Sequence, residues 1–426
     1  MKICVYVMSN YAKQNYANEN YNVRQNAGMA VVIDILRRSG YEVEFASKAN
    51  VHKYDIVLVS ITSDCDWWPF LAERVSWQEG HYKVIAGGAG VLNVRPFLPY
   101  VDYFVLGRAE GVIDKLLSGS YNGNSVLESK RFDLRQDYYI NQTDEPYPYE
   151  LTLENGKTYK EGAIGCPYKC KFCAYTWHRK QAGEKEFRYN DLWNKNEDVE
   201  LALLDINKGV KVNYNKLRTT AIDGMSEKLR FAVNKRITSD MFKQFLYNLA
   251  TCEKPHQVKL YNVIGYPGET EEDWWELVRD IQDVDSQLPK TEKQTSILLH
   301  STPFRAMPAT PMACASMRYK NYRGAVAQAI GRGYKGNIFY QGNSIWAVEG
   351  MGTESLATVA ESAIILRGTE IDTDNIAKIS ASQKYWKANM AKKIATLEKY
   401  FDMDKLFAEC TPDDLPTRYV KTYTKI

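Results

Sequence analysis

Three cysteines, Cys166, Cys170 and Cys173, fall in the run Gly165-Cys166-Pro167-Tyr168-Lys169-Cys170-Lys171-Phe172-Cys173, at the spacing C-x3-C-x2-C. Three thiolates on one short loop suit a 4Fe-4S cluster whose remaining iron stays open to a substrate or cofactor. The same residues also read as a zinc site lacking its fourth ligand, with His178 a poor candidate for it, or as a group of reduced thiols. The other cysteines, Cys4, Cys65, Cys252, Cys314 and Cys410, are scattered and stand mostly in apolar settings. They read as reduced core residues and point to a reducing, cytoplasmic compartment rather than to a disulfide framework.

The apolar strand Glu161 to Ile164, the Gly165-Cys166-Pro167 that follows it, and the aromatic Phe172 before the last cysteine resemble the radical S-adenosylmethionine enzymes. That resemblance implies that the amine and carboxylate of S-adenosylmethionine chelate the open iron. One electron from the reduced cluster then cleaves the cofactor to a 5′-deoxyadenosyl radical, and a flavodoxin or ferredoxin serves as electron donor. Phe172 joins the cofactor-binding residues on the same ground.

Two further stretches carry the resemblance. From Thr220 to Arg230 the chain leaves a strand and enters a helix, with Ser226 placed to cap it and Arg230 one turn on, facing the same mouth. By resemblance Ser226 and Arg230 hold the ribose or carboxylate of S-adenosylmethionine, the guanidinium pairing with the carboxylate through two bonds. The plainer reading is a capping serine beside a solvated arginine. The run Tyr261 to Asp273 is similar to the family's fourth or fifth barrel strand and its turn, where the backbone of Ile264 and Gly265 lines the adenine. Pro267-Gly268 as a turn and Thr270 as the cap of an acidic first turn account for the same residues structurally. Where the family often has a glycine-glycine-glutamate for the methionine amine, this chain has Leu203-Leu204-Asp205-Ile206-Asn207. Asp205 is assigned to the amine and Asn207 to the ribose.

The elements that must position these residues follow from periodicity. Residues 1–118 alternate apolar strands and helices: Ile3 to Met8, a helix through Met29, Val32, Ile33 and Leu36 ending at Gly40, then Tyr41 to Phe45, the continuous run Asp55 to Ile61, Lys83 to Ala86, and Tyr103 to Leu106. The expectation is α/β: a flavodoxin-like, doubly wound parallel sheet whose ligand crevice lies at the carboxyl ends of its strands. Those ends carry Asn10, Thr62, Ser63, Gly87, Gly88 and Gly107, small and polar enough for a wide ligand to approach the backbone.

This half resembles the Rossmann-like cobalamin-binding domain found ahead of many radical S-adenosylmethionine enzymes, through Ile85 to Gly88, Val101 to Glu110 and Leu116-Leu117. Cobalamin is thereby implied in that crevice. The Asp-x-His-x-x-Gly signature that supplies a histidine to cobalt elsewhere is absent, so no protein histidine on the cobalt is expected. The alternative is a flavodoxin-like domain kept for architecture.

Residues 119–150 are polar and turn-rich and read as a linker. From 151 to 310 the strand–helix alternation resumes, with strands expected at 201–204, 218–222, 258–264 and 296–300 and helices at 238–249 and 271–281, a pattern suited to a partial (β/α) barrel. Residues 311–426, with helical patterns near 320–332, 354–367 and 383–402, read as a mainly helical C-terminal cap or substrate region.

Composition narrows the function classes. A net charge of +3 on 426 residues gives no argument for nucleic acid or an anionic membrane, and no apolar run is long enough for a transmembrane helix. The start Met1-Lys2-Ile3-Cys4-Val5 reads as a strand rather than a signal peptide. No Ser/His/Asp triad or Walker-type loop is present. The expected function is cobalamin-dependent radical methylation of an unactivated carbon, in a small molecule or a modified biopolymer. The rivals are a radical cyclase or rearrangement enzyme, a cobalamin-independent radical enzyme with a relic first domain, and a cobalamin or redox sensor. A tRNA methylthiotransferase needs a second three-cysteine cluster, for which Cys4 and Cys65 are too few.

Overall fold

The computed structural model describes residues 1–8, 26–62, 66–133, 138–153, 156–166, 169–178, 182–183, 214, 217, 219–254, 257–288, 295–307, 309–315, 338–340, 397–408 and 420–421. They form a mixed α/β protein with two mainly parallel sheets.

The first sheet is built from β1 (Ile3–Tyr6), β2 (Val43–Ala46), β3 (Ile56–Ser60), β4 (Lys83–Gly87), β5 (Tyr103–Val105) and β6 (Val126–Glu128), in the order β2-β1-β3-β4-β5-β6. β1 to β5 run parallel, and β6 pairs antiparallel with β5. The expected linker thus contributes the edge strand of the sheet. Apolar runs such as Ile56–Ser60 belong at the centre because helices cover both faces of a parallel sheet. Along β1 the period of two sends Ile3 and Val5 into one core, beneath the helix α1 (Ala27–Arg38), and Cys4 and Tyr6 into the other, with Phe70, Phe97 and Phe104. Asn26 caps α1 by accepting from the Met29 amide at 3.0 Å, and Gly40 ends it at φ 86°. The helices α2 (Trp67–Arg74) and α3 (Ile113–Leu117) follow β3 and β5.

Small pairings lead onward. β7 (Tyr138–Tyr139) pairs with β16 (Val420–Lys421), β8 (Leu151–Thr152) with β9 (Thr158–Tyr159), and β10 (Ala163–Ile164) with β11 (Ala182–Gly183). The β10/β11 pair brackets the cysteine loop and the short helix α4 (Ala174–His178).

The second sheet, β12 (Thr219–Ala221), β13 (Gln257–Ile264), β14 (Thr295–Pro303) and β15 (Ile338–Tyr340), is parallel and ordered as in the chain. Between its strands run α5 (Glu227–Ala232), α6 (Ser239–Ala250) and α7 (Glu271–Gln287). α8 (Met403–Phe407) lies near the carboxyl end. The strands and helices expected between 218 and 300 fall here, though α7 continues to Gln287, past the expected end near 281. The strand expected at 201–204, the helices at 320–332 and 354–367, and most of that at 383–402 lie outside the described residues. Leu229, Val233, Tyr266, Phe304 and Ala306 share a core with β1, β3 and β4, so the two sheets are packed on common apolar ground. Among the described residues no helix is long and apolar enough to cross a membrane.

Candidate cofactor sites

The cysteine loop leaves β10 through Gly165, at φ 75°, and turns again at Lys169, at φ 52°. Its backbone is tied to the second sheet's layer: the Lys171 amide donates to Val233 O at 2.9 Å, Asn234 Nδ2 to Lys169 O at 3.0 Å, and the Met312 amide to Lys171 O at 3.3 Å. The described non-glycine residues with positive φ are Lys169, Asp223, Asn234 and Ala309. Asn234 bonds the loop directly, and Ala309 lies in the segment that Met312 ties to it. Such backbone strain persists only where the surroundings enforce it, and it concentrates at working sites.

Cys166 and Cys173 are partly exposed and Cys170 is buried. Burial pushes the Cys170 thiol up to about 12; Lys235, which pairs with Asp223 at 2.7 Å, opposes that rise, while Asp223, Cys173 and Cys166 add to it. Three thiolates here would need a positive partner, which an iron cluster would supply. Among the described residues no three His, Cys, Asp or Glu side chains close on a point for one metal ion. A four-iron cube is larger than one ion and holds its thiolates further apart. The donor set fits the cluster. Phe172 packs its ring 5.9 Å from that of Tyr266, which in turn meets Phe304 at 5.4 Å, so an aromatic wall backs the loop.

Ser226 caps α5 as expected, accepting from the Leu229 amide at 3.2 Å, and its hydroxyl donates to Asp273 Oδ1 at 2.5 Å. It is fully buried, so this hydroxyl serves the fold. Arg230 departs from both earlier readings: it is 0% exposed, neither solvated nor facing an open mouth. Its guanidinium donates to Ile237 O at 2.8 Å, Met225 O at 3.2 Å, Gly224 O at 3.3 Å and Ser239 Oγ at 3.1 Å. The expected carboxylate clamp is therefore a strut that fastens the two ends of α5 to the start of α6.

At the end of β13, Ile264 is buried and Gly265 turns the chain at φ 78°. Glu269 lies beneath this turn, accepting from the amides of Gly265 at 2.8 Å and Tyr266 at 3.2 Å and from Trp274 Nε1 at 2.8 Å. Burial raises its carboxyl from 4.5 to about 7, although all three donors pull the other way. A raised folded-state value means that the fold keeps a proton which the unfolded chain has already lost, so stability falls as pH rises from about 4.5 to about 7. Glu269→Gln stays neutral throughout. The wild type should lose up to about 3 kcal/mol relative to that variant across this window in urea titrations. Parallel pH profiles for the two proteins would show that Glu269 is ionised in the fold.

The second site is a cavity of about 430 Å³ at the carboxyl ends of β3, β4 and β5, beside the start of α1. Thr62, Gly87, Gly88 and Gly107 line it as expected, while Asn10 and Ser63, with Asp205 and Asn207, lie outside the described residues. The glycines differ in their reasons. A Cβ on Gly88, at φ 105°, would stand 2.4 Å from Ile61 O, and one on Gly107, at φ 91°, 2.3 Å from Asn141 O. Both are required by the backbone itself, so ring access alone does not explain them. At Gly87 a Cβ would meet nothing nearer than Val105 O at 3.8 Å, so Gly87 is the glycine whose substitution probes the cavity rather than the fold. Thr62 donates to Asp66 through its amide at 2.8 Å and its hydroxyl at 2.6 Å.

The charged part of this lining is Arg108, at the end of β5 within the stretch Val101 to Glu110, together with Glu110 and Glu161. Arg108 gives Nη1 to Glu161 Oε1 at 2.7 Å and Nη2 to Glu161 Oε2 at 2.5 Å, and it bonds Glu110. Tyr159 and His178 complete the wall on the cysteine-loop side. The Arg108-x-Glu110 pair was visible, whereas Glu161 and His178 reach the cavity only through the tertiary fold. The volume suits a group of nucleotide size, and a wider ring would rest at the mouth.

No protein-family model matches the chain. It is 25% identical over 292 residues to an uncharacterized protein of Methanocaldococcus jannaschii, a match covering 57% of this chain and 66% of that one. Among solved structures, it is similar to the cobalamin-dependent S-adenosylmethionine radical enzyme OxsB with aqua-cobalamin bound, at 11% identity and a TM-score of 0.27, covering 94% of this chain and 56% of that one. The same enzyme with aqua-cobalamin and S-adenosylmethionine bound gives 10% identity and a TM-score of 0.27 at the same coverage. The chain thus spans just under two thirds of the curated relative and little more than half of the solved chains.

Proposed function

We propose that the chain is a cobalamin-dependent radical S-adenosylmethionine enzyme that methylates an unactivated carbon of a small molecule or modified biopolymer. It would work in a reducing cytoplasm and take electrons from a flavodoxin or ferredoxin. The carrying observation is the loop of three thiols, set by enforced backbone turns and fastened to the layer whose core is continuous with the first sheet. In this reading the first sheet is flavodoxin-like and the second belongs to a partial barrel. The bound cofactors supply a carbon-centred radical and a methyl group. The chain's own part is to hold and enclose them. Cys166, Cys170 and Cys173 hold the cluster, and the Phe172–Tyr266–Phe304 wall shields it. The backbone at Ile264 and Gly265, fixed by Glu269, faces the adenine, and the crevice at Thr62, Gly87, Gly88 and Gly107 takes cobalamin.

The test is anaerobic reconstitution with iron, sulfide and hydroxocobalamin, followed by desalting, optical spectra and metal analysis of the wild type and Gly87→Val. The wild type should retain both groups, whereas Gly87→Val should bind cobalamin about tenfold more weakly with its iron unchanged. A wild type that takes up no cobalamin yet cleaves S-adenosylmethionine would leave a cobalamin-independent radical enzyme and end the methylation reading.

A further inference from the structure

α4 begins directly after Cys173 and makes little more than one turn, yet its last two residues serve two sites. Trp177 Nε1 donates to Cys170 O at 2.8 Å, and Lys169 Nζ lies 5.4 Å from the centre of the indole, so Trp177 is bound into the cysteine loop. His178, the next residue, is 6% exposed and lines the 430 Å³ cavity of the first sheet. Neighbouring residues on a helix point about 100° apart, and that divergence lets one short segment touch both places.

Beside His178 in the lining, Arg108 divides Nη1 and Nη2 between Glu161 and Glu110. A neutral imidazole both donates and accepts. That is the complement of a primary amide, and a cobalt corrinoid carries such amides around its ring.

We infer that His178 is part of the crevice's binding site and hydrogen-bonds the corrinoid held there, so that the segment carrying the cluster ligands also grips the second cofactor. The inference rests on the cobalamin reading above. Its role is positioning, with no ligand bond to cobalt required.

The experiment titrates hydroxocobalamin into anaerobically reconstituted wild type, His178→Ala and His178→Asn, with the bound fraction read by absorbance after desalting and iron measured on the same samples. His178→Ala should bind about tenfold more weakly than the wild type, and His178→Asn, which keeps a donor and an acceptor, within about threefold of it. Iron should be the same in all three. Equal affinity and an unchanged cobalamin spectrum in His178→Ala would overturn the inference. So would loss of iron in both variants, since His178 would then serve the cysteine loop alone. If the wild type takes up no hydroxocobalamin, the crevice reading itself falls, an outcome separate from either of these.

Discussion

Replacing Cys170 with alanine should remove the iron and its visible absorbance from the reconstituted protein while the fold stands. The three cysteines of the loop are the proposed protein ligands of the cluster, so losing one leaves two, too few to retain a cube with an open iron. Cys170 is the innermost of the three, and its buried thiol, pushed up to about 12, becomes a thiolate only against a strong positive partner. With the thiol gone, nothing else in the loop replaces that bond. Iron should fall from about four per chain to near zero, and the same is expected for Cys166→Ala and Cys173→Ala. The variants should still unfold cooperatively, because removing one sulfur from a loop costs about 1 kcal/mol. Cys4→Ala, Cys252→Ala and Cys314→Ala should keep all their iron. Full iron in Cys170→Ala, or its loss in Cys252→Ala, would assign the ligands elsewhere.

Arg230→Ala should lower stability by about 3 kcal/mol and leave the affinity for S-adenosylmethionine unchanged. Burial pulls the guanidinium's pKa down, and Asp280, Glu276 and Glu227 support its charge against that pull. Four donated bonds join Gly224 and Met225, ahead of α5, to Ile237 and Ser239 after it. Deleting them strands three buried carbonyls at once. Arg230→Lys should recover little, since one ammonium cannot reproduce a planar fork serving acceptors on two sides. Urea titration reads the stability, and equilibrium dialysis with the labelled cofactor at low temperature reads the affinity. Unchanged stability with lost cofactor binding would restore Arg230 as a clamp.

The parts of the fold legible in the sequence are those with a local cause. Ile56–Ser60 read as a central strand because a strand buried on both faces has no polar side to hide. Ser226 read as a cap because its hydroxyl needs only the amide three residues on. The cysteine loop showed itself by spacing alone. What escaped depends on distant chain. Helical spacing set Arg230 on a face of α5, but its burial comes from Ile237 and Ser239 folding back over it. β6 has three residues and one fully buried side chain, Leu127, too little apolar pattern to mark a strand within a polar stretch. Gly88 looked like an opening for a ligand, yet the backbone of Ile61 claims the space a side chain would need. Glu161 and His178 lie beyond the first sheet in sequence, and only the packing of the cysteine-loop segment against that sheet brings them to its crevice.

The most direct test is chemical. Wild-type protein, reconstituted anaerobically and reduced with dithionite or a flavodoxin system, is incubated with S-adenosylmethionine, and the nucleoside products are measured by mass spectrometry. A radical S-adenosylmethionine enzyme should release 5′-deoxyadenosine, and Cys170→Ala should release none. An intact, reduced cluster that leaves S-adenosylmethionine whole would contradict the assignment of the three cysteines to radical chemistry.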